Sequence, residues 1–128
     1  MFTIQVSLGE CLDRLSIIKV KLKKISDIKK QQILKAEERA LEESISKSRD
    51  QTQHIAERID KTFPELVALN EAAWDLIDLN IKAINENDFP SAGRNIKKLH
   101  EFNCLRIKLR NDIDAAAGEK ITEVKNYI

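Results

Sequence analysis

Cys11, Leu15, Ile18, Leu22 and Ile25 follow one another at steps of four, three, four and three. That spacing lines all five along one side of an α-helix, because successive helical residues turn by about 100°. The stretch SIIKVKLKKI, Ser16–Ile25, also alternates, and its β-branched residues suit a strand. The helical period extends over the longer window and takes precedence. Ser7 and Glu10 stand three apart just upstream. They form a capping box, in which the hydroxyl accepts from the backbone near Glu10 while the carboxylate reaches back to the Ser7 amide. A helix is predicted from near Leu8.

With three glycines and two prolines in 128 residues, few tight turns are available, and the chain is expected to form a few long elements in one domain. A second helix opens at Ser26 or Asp27 and is predicted to run to about Lys61. Its heptad-like, coiled-coil seam of Leu34, Leu41, Ile45, Ile55 and Ile59 is interrupted by Glu38, Ser48 and Thr52. The polar middle of that seam either protrudes, meets an oligomeric partner, or breaks near Arg49 and Asp50. Unbroken, this helix spans about 50 Å and overhangs the first, so a partner subunit is expected to cover the excess.

TFPE, Thr62–Glu65, reads as a second capping box with proline in the first turn. The third helix that follows is apolar most of the way round, through Leu66, Val67, Leu69, Ala73, Trp74, Leu76, Ile77, Ile81 and Ile84. It is expected to be the best-buried helix. Asn85–Gly93 reads as a loop, with Asp88 and Ser91 as competing caps for a fourth helix ending at Gly118, whose seam is Leu99, Phe102, Leu105, Leu109, Ile113 and Ala116. Residues 1–7 are expected as an extended arm pinned by Phe2 and Ile4, and 119–128 as a tail packed on the bundle. The fold class is therefore all-α: an antiparallel bundle of about four helices with one long, protruding member.

Lysine plus arginine number 22 against 21 acidic residues, and the net charge of +1 supplies no general field for nucleic acid or anionic lipid. Lys19, Lys21, Lys23 and Lys24 spread around more than half of their helix, so a nucleic-acid partner is not favoured. Cys11 and Cys104 lie among apolar residues and read as small core side chains. No signal peptide is evident and no run of about 18 apolar residues occurs, so a cytoplasmic setting without a membrane partner is expected.

His54 and His100 have no ligand at metal-binding helical spacing, and no two glycines stand close enough for a phosphate loop. No cofactor is expected. Glu37, Glu38, Glu42 and Glu43 facing Glu71, Asp75 and Asp78 offer one enzymatic alternative, a magnesium-dependent all-α nucleotide pyrophosphatase, although its paired-glutamate motif is absent and a salt-bridged surface explains the same residues more simply. Asn103, Arg106 and Arg110 are helical neighbours beside the fourth seam. Structural pairing of their guanidinium groups with Glu71 or Glu10 is the first expectation. The second is an anionic ligand held by both arginines, oriented by Asn103 and walled by Trp74.

VSLGECLDRLSIIKVKLKKI resembles the opening of a family of small bacterial proteins catalogued as domain of unknown function 6165, in which a Val-Ser-x-Gly-Glu start leads into an Asp-Lys-Leu-Thr-Ile helix. The likeness continues in NEAAWDLID (Asn70, Glu71, Trp74), in FNCLRIKLRNDI (Asn103, Arg106, Ile113) and in GEKITEVKNY (Gly118, Glu123, Lys125, Tyr127). Lys19 and Lys23 stand where that family usually has acidic residues, Arg14 where it has lysine, and Cys104 where it has aspartate. The resemblance implies a shared helical fold and no named activity. It marks Glu10, Asp13, Lys21, Asn70, Glu71, Trp74, Asn103, Arg106, Lys125 and Tyr127 as recurring polar positions.

With Arg110 added, these residues make the candidate site. Arg106, Lys21 and Lys125 are expected to meet Glu10, Glu71 and Asp13, with Asn70, Asn103 and Trp74 at the edges. The cluster either fixes helix register or binds a small anion such as a nucleotide or sugar phosphate. The function expected is that of a non-enzymatic, homo-oligomeric binding or scaffold protein, with a protein partner or small anionic ligand as the further expectation.

Overall fold

The computed structural model describes residues 6–118, and all four of its regular elements are α-helices: α1 (Leu8–Lys24), α2 (Ile28–Arg49), α3 (Gln53–Asn85) and α4 (Phe89–Ala116). No strand occurs among the described residues, and the all-α bundle is the observed architecture. The arm residues Phe2 and Ile4, and the tail with Lys125 and Tyr127, lie outside them.

Each helix starts on a short polar side chain that accepts from a first-turn amide, which satisfies one donor the helix leaves open. Ser7 accepts from Glu10 N at 3.1 Å and Asp27 from Lys30 N at 2.9 Å. Thr52 accepts from Ile55 N at 3.1 Å and Asp88 from Ser91 N at 3.2 Å. The α1–α2 turn is closed by Gln31, whose amide donates to the carbonyls of Leu22 and Ile25 at 2.9 and 2.5 Å. Asn87 takes a left-handed φ of 58° in the α3–α4 turn, a conformation asparagine tolerates better than most residues.

The boundary between the second and third helices differs from the sequence expectation. The break falls at Asp50–Thr52, the alternative that the polar run left open, and the chain stays helical through TFPE. Ile55, Ile59, Thr62 and Leu66 are all buried at steps of four, three and four, so the core-facing stripe runs unbroken through this segment. Pro64 sits on the outer, exposed side, where its missing amide leaves only the Asp60 carbonyl to solvent. Continuous burial outweighs a local cap signature. The long helix is therefore α3, of 33 residues, rather than α2.

α1 is the best-buried helix, in the place expected for α3. It contacts all three other helices, antiparallel to α2 and α4 and parallel to α3. Leu8, Cys11, Leu12 and Leu15 of α1 meet Ile45, Ile55, Ile59, Leu66 and Ile113 in one apolar core, with Phe63 and Leu109 packed at its edge. Cys104, in contrast to Cys11, is exposed, 3.6 Å from the His100 ring. Leu105 is also exposed and does not belong to the α4 seam.

α1 has 17 residues, about 25 Å, against about 50 Å for α3. The distal parts of α3 and α4 therefore project past it as a two-helix hairpin, stitched by Asn95 and Asn80 at 3.5 Å. The overhang belongs to this hairpin. No described helix is long and apolar enough to cross a membrane.

Candidate functional site

Where α1 enters the groove between α3 and α4, polar groups replace the apolar core. Asp13 and Ser16 of α1 are 4% and 0% exposed, and Asn70 of α3 is 8% exposed. Asn70 Nδ2 donates to Ser16 Oγ at 2.7 Å and to Asp13 Oδ1 at 3.2 Å. Ser16 Oγ in turn donates to the Asp13 carbonyl at 2.6 Å. The second Asp13 oxygen faces two guanidinium groups, with Arg106 Nε at 3.4 Å and Arg110 Nη1 at 3.5 Å. Arg106 Nη1 donates to Asn70 Oδ1 at 3.4 Å. A buried carboxylate is tolerable here because opposite charge and amide donors surround it.

One turn below, Asp114 of α4 accepts from the Gly9 amide at 2.7 Å. A carboxylate thus sits on the open end of α1, where unpaired N–H groups and the helix dipole favour negative charge. The helices approach so closely that a Cβ at Gly9 would lie 2.3 Å from the Arg110 carbonyl oxygen.

Asp13, Asn70, Arg106 and Arg110 are thus brought together from the residues singled out in the sequence. Asn103 lines the α3–α4 groove further along α4, and Trp74 lines a neighbouring recess between α1 and α3. Glu10, Glu71 and Lys21 lie elsewhere. Glu10 pairs within its own helix with Arg14 at 2.9 Å, because the two are one turn apart on the exposed face. Glu71 binds Lys23 at 2.6 Å, because the last turn of α1 runs alongside α3 and brings its lysines to Glu71 and Asp75. Lys21 lines a shallow cleft between α1 and α2 beside Glu37 and Leu41. Ser16, Gly9 and Asp114 were not singled out. A serine within an apolar seam and an aspartate three places after Asn111 give little signal on their own, although a glycine in a first helical turn does point to a close approach.

Two ion-pair sets flank the buried cluster. Lys19 binds Glu38 and Glu42 of α2 at 2.7 and 2.9 Å, and the Glu38 hydrogen bond is the main cause that raises its pKa. Lys24 binds Asp75 at 3.0 Å, which raises its pKa, while the hydrogen bond from Lys23 holds Glu71 below the ordinary glutamate value. Of the carboxylates considered for magnesium, Glu38 and Glu42 pair with Lys19, and Glu71 and Asp75 pair with Lys23 and Lys24. Among the described residues no group of three or more His, Cys, Asp or Glu side chains is placed to hold a metal ion.

Two rows of side chains continue out of the cluster along the hairpin. On α3, Leu66 and Asn70 pack against α1, and the same stripe goes on through Ala73 to Ile77, Ile81 and Ile84. On α4, Arg110, Asn103, Ile96 and Phe89 follow at steps of seven. Arg110 is buried, Asn103 half-buried, and Ile96 and Phe89 are 57% and 63% exposed. The rows lose their cover where α1 departs.

No protein-family model, curated protein or solved structure matches the chain.

Proposed function

We propose that this protein is a helical scaffold that works by self-association rather than catalysis, and that the distal α3–α4 hairpin is its contact surface. The observation that carries the reading is the uncovered row Ile77, Ile81, Ile84, Phe89 and Ile96, which prolongs the stripes that α1 covers lower down. Apolar side chains clustered at this density mark an association surface more often than a solvated one.

A second copy of the chain is the occupant that fits. Distal α3 carries Asp78 and Glu86 against Lys82, while α4 carries Arg94, Lys97 and Lys98 against Glu101. A two-fold axis that lays α3 of one copy along α4 of the other sets unlike charges opposite each other and completes a four-helix contact. The buried polar cluster then has a structural task, holding the hairpin at a fixed register on α1. Light scattering over a hundredfold range of protein concentration tests this: the mean mass rises from one chain toward two, and a constant single-chain mass overturns it.

A further inference from the structure

The groove between α3 and α4, from the level of Asn70 and Arg106 outward to Ile77 and Ile96, has a volume of about 400 Å³. Its walls are apolar, from Ala73 and Ile77 on one side to Leu99 and Phe102 on the other. Polar groups gather toward the inner end, where Arg106 lies beside Asn70, with Asn103 one helical turn out and His100 a further turn along the otherwise apolar wall. A second recess of about 180 Å³, between α1 and α3, shares Asn70, Ala73, Ile77 and Arg106 with the first and adds Ile17, Val20 and Trp74. The two open onto the same guanidinium.

Arg106 is held in place without being used up. A guanidinium has five N–H donors in a rigid plane. The Nε atom is sealed from solvent and sits 3.4 Å from Asp13 Oδ2 without hydrogen-bonding alignment, and Nη1 makes a 3.4 Å bond to Asn70. Asp13 divides its charge between Arg106 and Arg110, and its other oxygen accepts from Asn70. A quarter of the Arg106 side chain remains accessible, and it borders both recesses. Guanidinium matches carboxylate in a two-point contact, with the position already fixed by burial.

We infer that this groove binds an organic carboxylate with an aliphatic body, the carboxylate on Arg106 and Asn103 and the body along Ala73, Ile77, Leu99 and Phe102. Nucleotides and sugar phosphates fit the lining less well, because most of their surface is polar and most of the wall is not. The groove shares Ile77 and Ile96 with the row proposed for self-association, whereas Ile81, Ile84 and Phe89 lie toward the tip and outside the groove.

Trp74 is the only tryptophan in the chain and borders the shared recess, so it reports occupancy directly. Titration of the whole chain with octanoate, followed by Trp74 emission and by thermal melting, gives a saturable emission change and a raised melting temperature. Octanol and inorganic phosphate at the same concentrations give neither. Arg106→Gln weakens octanoate binding at least tenfold. Since that change also touches Asp13, Ala73→Phe serves as a second variant that fills the groove and leaves the ion pairs alone; it abolishes the response. Ile81→Lys leaves octanoate binding intact, which separates this inference from the self-association reading. Equal responses to octanoate and octanol, or wild-type binding in Ala73→Phe, overturn the assignment.

Discussion

The Gly9 amide donates to the Asp114 carboxylate at 2.7 Å, and this contact joins the first turn of α1 to the last turn of α4 across almost the whole chain. Its geometry depends on glycine. A methyl group at position 9 would press on the Arg110 carbonyl at 2.3 Å, which is backbone, and on Asp114 Oδ1 at 2.8 Å. Gly9→Ala is expected to destabilise the fold by about 1–3 kcal/mol, as overpacking does, despite alanine's better helix propensity. Asp114→Asn keeps the shape and loses the charge, and is expected to cost about 1–2 kcal/mol. Urea unfolding followed by circular dichroism measures both; an unchanged midpoint for Gly9→Ala contradicts the close approach.

Asp13 is the hub of the buried cluster, and removing it leaves two guanidinium groups facing a gap. Asp13→Asn is expected to cost about 3–5 kcal/mol, the range for breaking a buried pair on one side. Asn70→Leu, which strips donors from Asp13 and Ser16, is expected to cost about 1–3 kcal/mol. Because the residues touch, the double variant should be less destabilised than the sum. Additive losses in a double-mutant cycle contradict a shared network.

The surface ion pairs set a pH dependence with a definite sign. Asp60 is held below its ordinary value of 3.8 first by the hydrogen bond from Arg49, and Glu71 below 4.5 first by that from Lys23. Folded values below unfolded ones mean that this stabilisation is complete above the ordinary carboxylate range and is lost as pH falls through the folded values. Lys19 and Lys24 lie above 10.5 in the fold, so their contribution is present below that pH and fades as pH rises through the folded values. Urea midpoints should therefore decline below about pH 4 and again above about pH 10.5. The acid limb should shrink in Asp60→Asn. Salt flattens both limbs, because the groups are exposed or half-buried and remain in reach of solvent ions.

Pro64 lies within α3 on its exposed side, and the Asp60 carbonyl goes without its intrahelical donor. Pro64→Ala restores that hydrogen bond at a position that touches no core. Stability should rise by about 1–3 kcal/mol in the same urea assay, within the range set by proline's helix penalty. A loss of stability contradicts a continuous α3.

How far the sequence could be read depended on whether a signal was local or shared between helices. The α1 seam and its Ser7 cap were legible because period and cap agreed. TFPE misled because a capping pattern spans four residues, while the stripe Ile55, Ile59, Thr62 and Leu66 that overrules it spans twelve. The apolar character of distal α3 was plain; that α1 ends too soon to cover it was not, since burial depends on where a neighbour stops. Within the cluster, Asp13, Asn70, Arg106 and Arg110 were singled out as polar residues beside apolar seams or in recurring motifs. Glu10 and Glu71 looked equivalent in sequence, but Glu10 finds Arg14 one turn along its own exposed face and Glu71 meets Lys23 at the end of α1.

The hairpin beyond α1 is proposed to meet a second copy of itself. Sedimentation velocity of the wild type and of Ile81→Lys tests it most directly, with circular dichroism to show that helicity is retained. Ile81 is 53% exposed, so lysine there should alter the stability of the single chain by no more than about 0.5 kcal/mol. The wild type is expected to form a concentration-dependent dimer and the variant to remain a single chain at every concentration. A wild-type protein that sediments as one chain throughout, or a variant that still dimerises, contradicts it.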